Sequence, residues 1–482
     1  MLGTQAAELQ DGPPPGVAEA LELIDGFDGA LAHGFARLGE DHGAALAALA
    51  GALAATPLGD RLAEAVAKAA AGSAGEEHLS ALAGARTALF GAVHDALLAR
   101  LDAALGRGRT EWELERGGAE GDDPAAPAAT EAGNLLAGCR SWLHELAVAG
   151  WRGVDHDLVS ASSQMLEALL AEPGLRRAAV LLDGLAAELR ASCPVGTMEH
   201  LPARRWADLW ARALLLTQTP PDGGPAPMAA EPVGTASGRL LILGVDVHEH
   251  ATAVQLQVHA VLEGDGPPRL VRTAVAAAKV DTIVGPALWK LFADHPVLLG
   301  ALAGRVSLDV TDLPLLPGGD LIWQDDRARP GEPADPFVTA RVRLAEATAP
   351  AVPPLERHPV RIAEPVLLEG YRASTGDGGS LTFTLDQGAA LPVAVDRLPS
   401  CGPLTPQSVA KSTACVGLLR WDAGRWWLQP LAVQSTVKGK TTTAHNGEWA
   451  LGPTDPKVVK AEARAGDAVA VLRERAGRLL RR

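Results

Sequence analysis

The sequence predicts an α+β multidomain protein. It has a helical, bundle-like N-terminal half and a β-rich C-terminal half, barrel-like or split into two small β-domains, with a terminal helix. Three observations predict this. Apolar residues recur at helical spacing through residues 1–218, with few β-branched side chains among them. Apolar and polar residues alternate with period two over much of residues 239–452. Between the two textures lies "TPPDGGPAPMAAEPVGTASG" (219–238), the sharpest change of composition in the chain. Helices first and strands second argue for segregated parts rather than alternating βαβ units. A chain of 482 residues also exceeds the size at which one core keeps growing.

The elements come in order along the chain. Residues 1–114 form a first helical region that ends in the long amphipathic run "EEHLSALAGARTALFGAVHDALLARLDAALGRG". The acidic, Gly/Pro-rich stretch 115–133 cannot bury a face and reads as a linker. A second helical region, 134–218, closes on "LPARRWADLWARALLLTQ", with Pro202 at a favoured early-helix position. After the 219–238 linker comes the β-rich part, 239–452. It opens on the hairpin "GRLLILGVDVHEHATAVQLQVHAVLEG" and continues through strand candidates that include "RVSLDVTDLPLL", "FVTARVRLAEA" and "SLTFTLDQ". One helix, near 281–303, interrupts the strands. Residues 453–482 form a basic amphipathic helix with Asp455 as cap and Pro456 at its first position.

Composition excludes some functions. The formal net charge of −15 argues against broad nucleic-acid binding, and no apolar run is long enough to span a membrane, so the protein reads as cytoplasmic. Four cysteines without paired spacing read as reduced structural thiols. No Walker-type loop or nucleophile elbow occurs, and no cofactor motif. In "VKGKTTT" (437–443) Gly439 takes a turn between strands instead.

Several clusters carry chemistry. Arg204, Arg205, Trp206, Asp208, Trp210 and Arg212 crowd one helix, where they could clamp a ligand or dock two parts of the chain. Its wide apolar stripe and place before the linker favour docking, the tryptophans buried in the helical part and the arginines facing acidic groups of the β-domain or a partner. In "RWDAGRWWLQP" the turn Asp422-Ala423-Gly424 sets Trp421 opposite Trp426 or Trp427, as a core pair or as stacking platforms for bases. Asp246, His248 and His250 share one strand face and are weak metal candidates, more simply read as a polar outer face. Arg475 and Arg478 lie on the basic side of the terminal helix, a candidate partner element.

The segments "LPARRWADLWARALLLT" and "HNGEWALGPTDPKVVKAEARAGDAVAVLRERAGRLLRR" resemble a group of bacterial proteins encoded beside a MoxR-type AAA+ ATPase, a von Willebrand factor A (VWA) protein and a SWIM zinc-finger protein. No enzyme activity is assigned to that group, so the likeness carries over no functional residue. The chain has neither the cysteine/histidine pattern of a SWIM finger nor the Asp-x-Ser-x-Ser signature of a VWA domain. The resemblance implies an accessory member of such a set. The expected function is therefore a non-enzymatic adaptor or scaffold with a protein partner. A nucleic-acid-binding module built on the tryptophans and basic tail is the alternative, and a metal-dependent enzyme at 246–250 the second alternative.

Overall fold

The computed structural model describes residues 3–112, 131–172, 175–218, 232–250, 253–280, 282–437 and 439–460. The N-terminal half holds α1 (Gly3–Gln10), α2 (Val17–His33), α3 (Glu40–Leu53), α4 (Gly59–Ala70), α5 (Glu76–Leu105), α6 (Glu131–Ala149), α7 (His156–Ser160), α8 (Ser163–Ala171), α9 (Arg176–Ser192) and α10 (Ala203–Leu216). Their apolar stripes meet in one core that includes Phe27, Leu82, Leu143, Leu182, Trp206 and Trp210. The two helical regions expected on either side of the acidic stretch therefore share a single interior. Alanine-rich stripes are narrow, and neither group alone has enough large side chains to close a core.

Helix α5 is the spine. Its 30 residues span about 45 Å, and Gly106 ends it in the left-handed conformation (φ 63°). Leu79, Leu82 and Phe90 serve the helical core, whereas Val93, Leu97 and Leu101 pack into a second core beneath a sheet of the C-terminal half. Helix α1 joins that second core through Ala6 and Leu9. The packing thus crosses the composition boundary that the sequence marks so sharply.

The C-terminal half begins earlier than expected, with β1 (Gly234–Glu249), followed by β2 (Ala253–Glu263), β3 (Arg269–Ala278), α11 (Pro296–Gly304), β4 (Val306–Leu315), β5 (Asp320–Leu321) and β6 (Ala328–Pro333). The β1–β2 hairpin pairs from Arg239↔Glu263 to Glu249↔Val254, with one register shift between Ile242 and Gly244. Neighbours take the order β1-β2-β3-β5-β4, and β4 returns to pair with β1, so the strands close into a small barrel; β3 and β5 are parallel. Closure removes free edges. Leu256, Val258, Val271 and Leu308 fill the interior with Leu298 and Leu302 of α11. The helix expected near 281–303 is split into a 3-10 segment, Gly285–Phe292, and α11. Pro296 accounts for the break, because proline disfavours helical backbone at the residue before it, here His295.

A second sheet comes after α12 (Pro336–Arg343): β7 (Glu364–Glu369), β8 (Arg372–Thr375), β9 (Leu381–Thr384), β10 (Ala390–Val393), α13 (Pro406–Ala410), β11 (Ala414–Asp422), β12 (Arg425–Val437) and β13 (Lys440–His445). Its order is β7-β11-β12-β10-β9-β8, with β13 also on β12. One face (Val366, Leu368, Cys415, Leu419) covers α1 and the end of α5; the other (Leu367, Ala414, Val416, Ala432) covers α12 and the outside of the barrel. Burial on both faces is why β11 opens on the apolar run Ala414–Leu419. The C-terminal half is therefore one closed barrel and one sheet stacked directly on each other, with α12 packed against both.

"FVTARVRLAEA" is helix rather than strand. Asp335 accepts from the backbone N–H groups of Phe337 and Val338 and Pro336 starts the helix, which overrides the β-branched residues. Among the described residues no helix is long and apolar enough to cross a membrane. The terminal helix begins at Pro456 behind Asp455, whose carboxylate accepts from Lys457 N–H at 2.8 Å. Arg475 and Arg478 lie outside the described residues.

Candidate interaction surface

The arginine–tryptophan helix α10 is occupied by its own chain. Trp206 and Trp210, one turn apart, are fully buried, with Trp210 Nε1 donating to Leu143 O at 2.9 Å and Trp206 Nε1 to Glu188 at 3.1 Å. Arg205 forks onto Glu188, its Nε 2.9 and 3.0 Å from the two oxygens, and Arg204 pairs with Asp25. Those acids sit on α9 and α2. The expectation that the arginines face acids of the β-domain or a partner is corrected accordingly: the cations at the start of α10 find their countercharges within the helical half.

Asp208 makes the crossing instead. It stands 3.6 Å from Arg86, 3.9 Å from Arg212 and 3.4 Å from Nε2 of His358, which precedes β7. Burial acts to raise the Asp208 carboxyl, but His358, Arg212 and Arg86 together bring it below the usual range. Arg86 is itself buried and grips Asp28 through two bonds of 2.6 and 3.0 Å. Burial nevertheless pushes Asp28 up to about 6, against the pull of Arg86.

Two further polar junctions tie distant segments together, one between the halves and one, within the C-terminal half, between the barrel and the second sheet. At the end of α5, Arg107 donates to Glu364 at 3.0 Å and to Pro365 O at 2.7 Å, while Arg109 reaches Glu364 at 3.2 Å and clasps Asp102. On the outer face of the barrel, Asp246 accepts from Arg420 at 2.6 Å and from Gln429 at 2.6 Å, both from the second sheet, with His248 at 3.0 Å. Burial opposes its charge, but His248 and Arg420 hold its carboxyl well below the usual range. The reading of "DVHEH" as a polar outer face is corrected at Asp246, which is buried and turned toward the second sheet rather than toward water. Its oxygens are taken by a guanidinium and an amide, and His250 is exposed at the hairpin end, so the three candidates do not converge as ligands. Among the described residues no cluster of three or more histidine, cysteine or acidic side chains has metal-holding geometry.

Trp421 and Trp426 face each other across the β11–β12 hairpin, ring centroids 5.3 Å apart and edge to face, both in the core. Ala423 and Gly424 take positive φ (49° and 75°), the geometry of a two-residue primed turn. Trp427 is half-buried, covered by Arg425 at 4.2 Å. The cysteines offer no activated thiol among Cys139, Cys401 and Cys415, since burial pushes all three up, the first two to about 12.

Among the described residues, one open apolar surface lies beside α12. Phe337, Ala340 and Leu344 turn inward at helical spacing, whereas Val338 and Val342, one turn apart, stay more than half exposed (56% and 53%). They border a groove of about 510 Å³, floored by Leu241 and rimmed by Arg239, Arg305 and Arg343. Arg343 pairs with Glu263 at 2.5 Å and Arg305 stands 4.0 Å from Asp335. Arg239 has no ion pair among the described residues. The β-branched residues of α12 give its sequence the texture of a strand, which conceals this surface. The signal that marks it was in the sequence, because Asp335-Pro336 is the same cap-and-proline pair as Asp455-Pro456.

No family model, curated protein or solved structure matches the chain.

Proposed function

We propose that this protein is a non-enzymatic adaptor whose α12 groove takes a segment of a protein partner, with apolar side chains seated on Val338 and Val342 beside carboxylates that meet Arg239. The groove is the observation that carries the reading: an apolar floor, an uncovered pair of valines and a cation without an ion pair among the described residues, on a chain of net charge −15. The rest of the fold suits a scaffold, since buried polar contacts join the two halves and, within the second, join the barrel to the sheet. The partners favoured are those the resemblance implies, a MoxR-type AAA+ ATPase and a VWA protein, in the cytoplasm. Nucleic-acid binding is the weaker reading, because Trp421 and Trp426 are spent on the core and cannot serve as stacking platforms.

Selection of a displayed random-peptide library against the purified protein tests this. Sequences mixing large apolar residues with Asp or Glu should be enriched, and the V338D/V342D variant should lose their binding by tenfold or more, about 1.4 kcal/mol. Enrichment of unrelated sequences, or equal binding to that variant, would overturn the groove as the site.

A further inference from the structure

Among the described residues, strand β13 ends its sheet with an unguarded edge. It pairs with β12 from Val437↔Lys440 to Ala432↔His445, and no other strand among the described residues pairs with it. The direction of each backbone group is set by three contacts. Gln434 O accepts from Thr413 N at 2.7 Å, so residue 434 turns its amide and carbonyl toward β11. Ser435 must then turn toward β13, and the Thr442 hydroxyl donates to Ser435 O at 3.3 Å. Gly439, at φ 76°, lies in the two-residue turn between Val437 and Lys440, a turn that closes on a hydrogen-bonded pair. Lys440, Thr442 and Ala444 therefore bond inward to β12. Thr441 and Thr443 present their N–H and C=O groups outward.

The other edges are protected. β6 carries Pro330 and Pro333, and β8 has four residues. The free side of β7 carries Pro365, whose carbonyl Arg107 takes. β13 has no proline and no bulge, its one charge, Lys440, lies at the turn, and Thr441 and Thr442 are exposed.

We infer that β13 is a self-association edge, pairing antiparallel with β13 of a second copy about a two-fold axis at Thr442. The register selects the occupant. With Thr442 on the axis, Thr441 opposes Thr443 of the other copy, and both are outward-bonding residues, so they exchange two hydrogen bonds. The symmetric pair exchanges two more. Thr442 faces its own copy in a non-bonded pair, with Cα atoms about 4.5 Å apart. Lys440 meets Ala444, so no like charges oppose each other, and threonine pairs favour such a ladder. Two chains of net charge −15 repel, so this association is weak at low salt and strengthens as salt screens it.

Cysteine cross-linking in the full chain, in a C193S background, tests this independently of the α12 groove. Cys139, Cys401 and Cys415 are buried. With oxidised glutathione at moderate salt, T442C should form a disulfide-linked dimer, because the axis brings position 442 to its own copy within disulfide reach. T441C, offset from its own copy, and T375C on β8 should cross-link several-fold less. Adding T443P removes an outward amide that β12 does not use and should abolish the T442C dimer. Adding T442E instead, in sedimentation of the cysteine-free edge, opposes two carboxylates at the axis and should leave monomer. No dimer from T442C, equal yields from T441C and T442C, or a dimer that survives T443P with circular dichroism unchanged would each overturn the proposal.

Discussion

Trp206 and Trp210 show what a residue's neighbours decide. Both indoles are buried with satisfied N–H groups, so truncation removes a large apolar volume from the helical core. W206A and W210A should each lower unfolding stability by about 3–5 kcal/mol, read from urea midpoints at unchanged slope. An effect within about 0.5 kcal/mol would place them at the surface. The buried imidazoles predict an acid response. Burial drives His259 down to about 3 and His358 and His445 down to about 4, against an ordinary 6.5. Their folded values lie below the unfolded ones, so as pH falls below 6.5 the unfolded chain takes protons the folded chain refuses. Their contribution is thus present above pH 6.5 and lost on acidification toward 4, approaching about 1.4 kcal/mol per pH unit for each imidazole. Asp28, raised to about 6, works in the opposite sense and offsets one of them. H358Q should flatten the stability slope between pH 6 and 5 by about one proton, and an unchanged slope would refute its neutral burial.

Elements were legible where local chemistry and packing agreed. The β1–β2 hairpin, the Ala423-Gly424 turn and the Asp455-Pro456 helix start stand where pattern and cap residues put them. Helix α12 was not, because Val338 and Val342 mimic a strand's composition while the Asp335 cap sets the backbone. D335A should cost about 1 kcal/mol and loosen the groove wall, detectable as faster amide exchange over residues 336–343. The Asp246–Arg420–Gln429 contact was equally hidden. The sequence puts Asp246 on an outer face, but a residue 174 positions away turns that face into an interior. R420M leaves a carboxylate buried without its cation and should cost about 3–5 kcal/mol, with D246N/R420M recovering part of that loss. If the double variant is no more stable than R420M, the pair is not coupled.

At the scale of the molecule, the composition boundary at 219–238 separates two kinds of secondary structure but not two independent bodies. Helix α5 serves both cores, and Asp208–His358, Arg107–Glu364 and Asp246–Arg420 bridge segments far apart in the chain. Fold class was readable because periodicity is local. The junctions and the groove were not, since they depend on which surfaces long-range packing covers. Among the described residues the halves are joined and the α12 groove wall is left bare, and the proposed holding of a partner rests on that wall.

Photo-cross-linking from position 342 tests that claim most directly. A benzophenone amino acid replacing Val342, in cells of the source organism, should give one discrete adduct, identified by mass spectrometry as a MoxR-type ATPase or a VWA protein. The same group at Val180, exposed on α9 of the helical half, should not, and R239E should diminish the adduct. Identical labelling from both positions, or none from 342, would contradict the account.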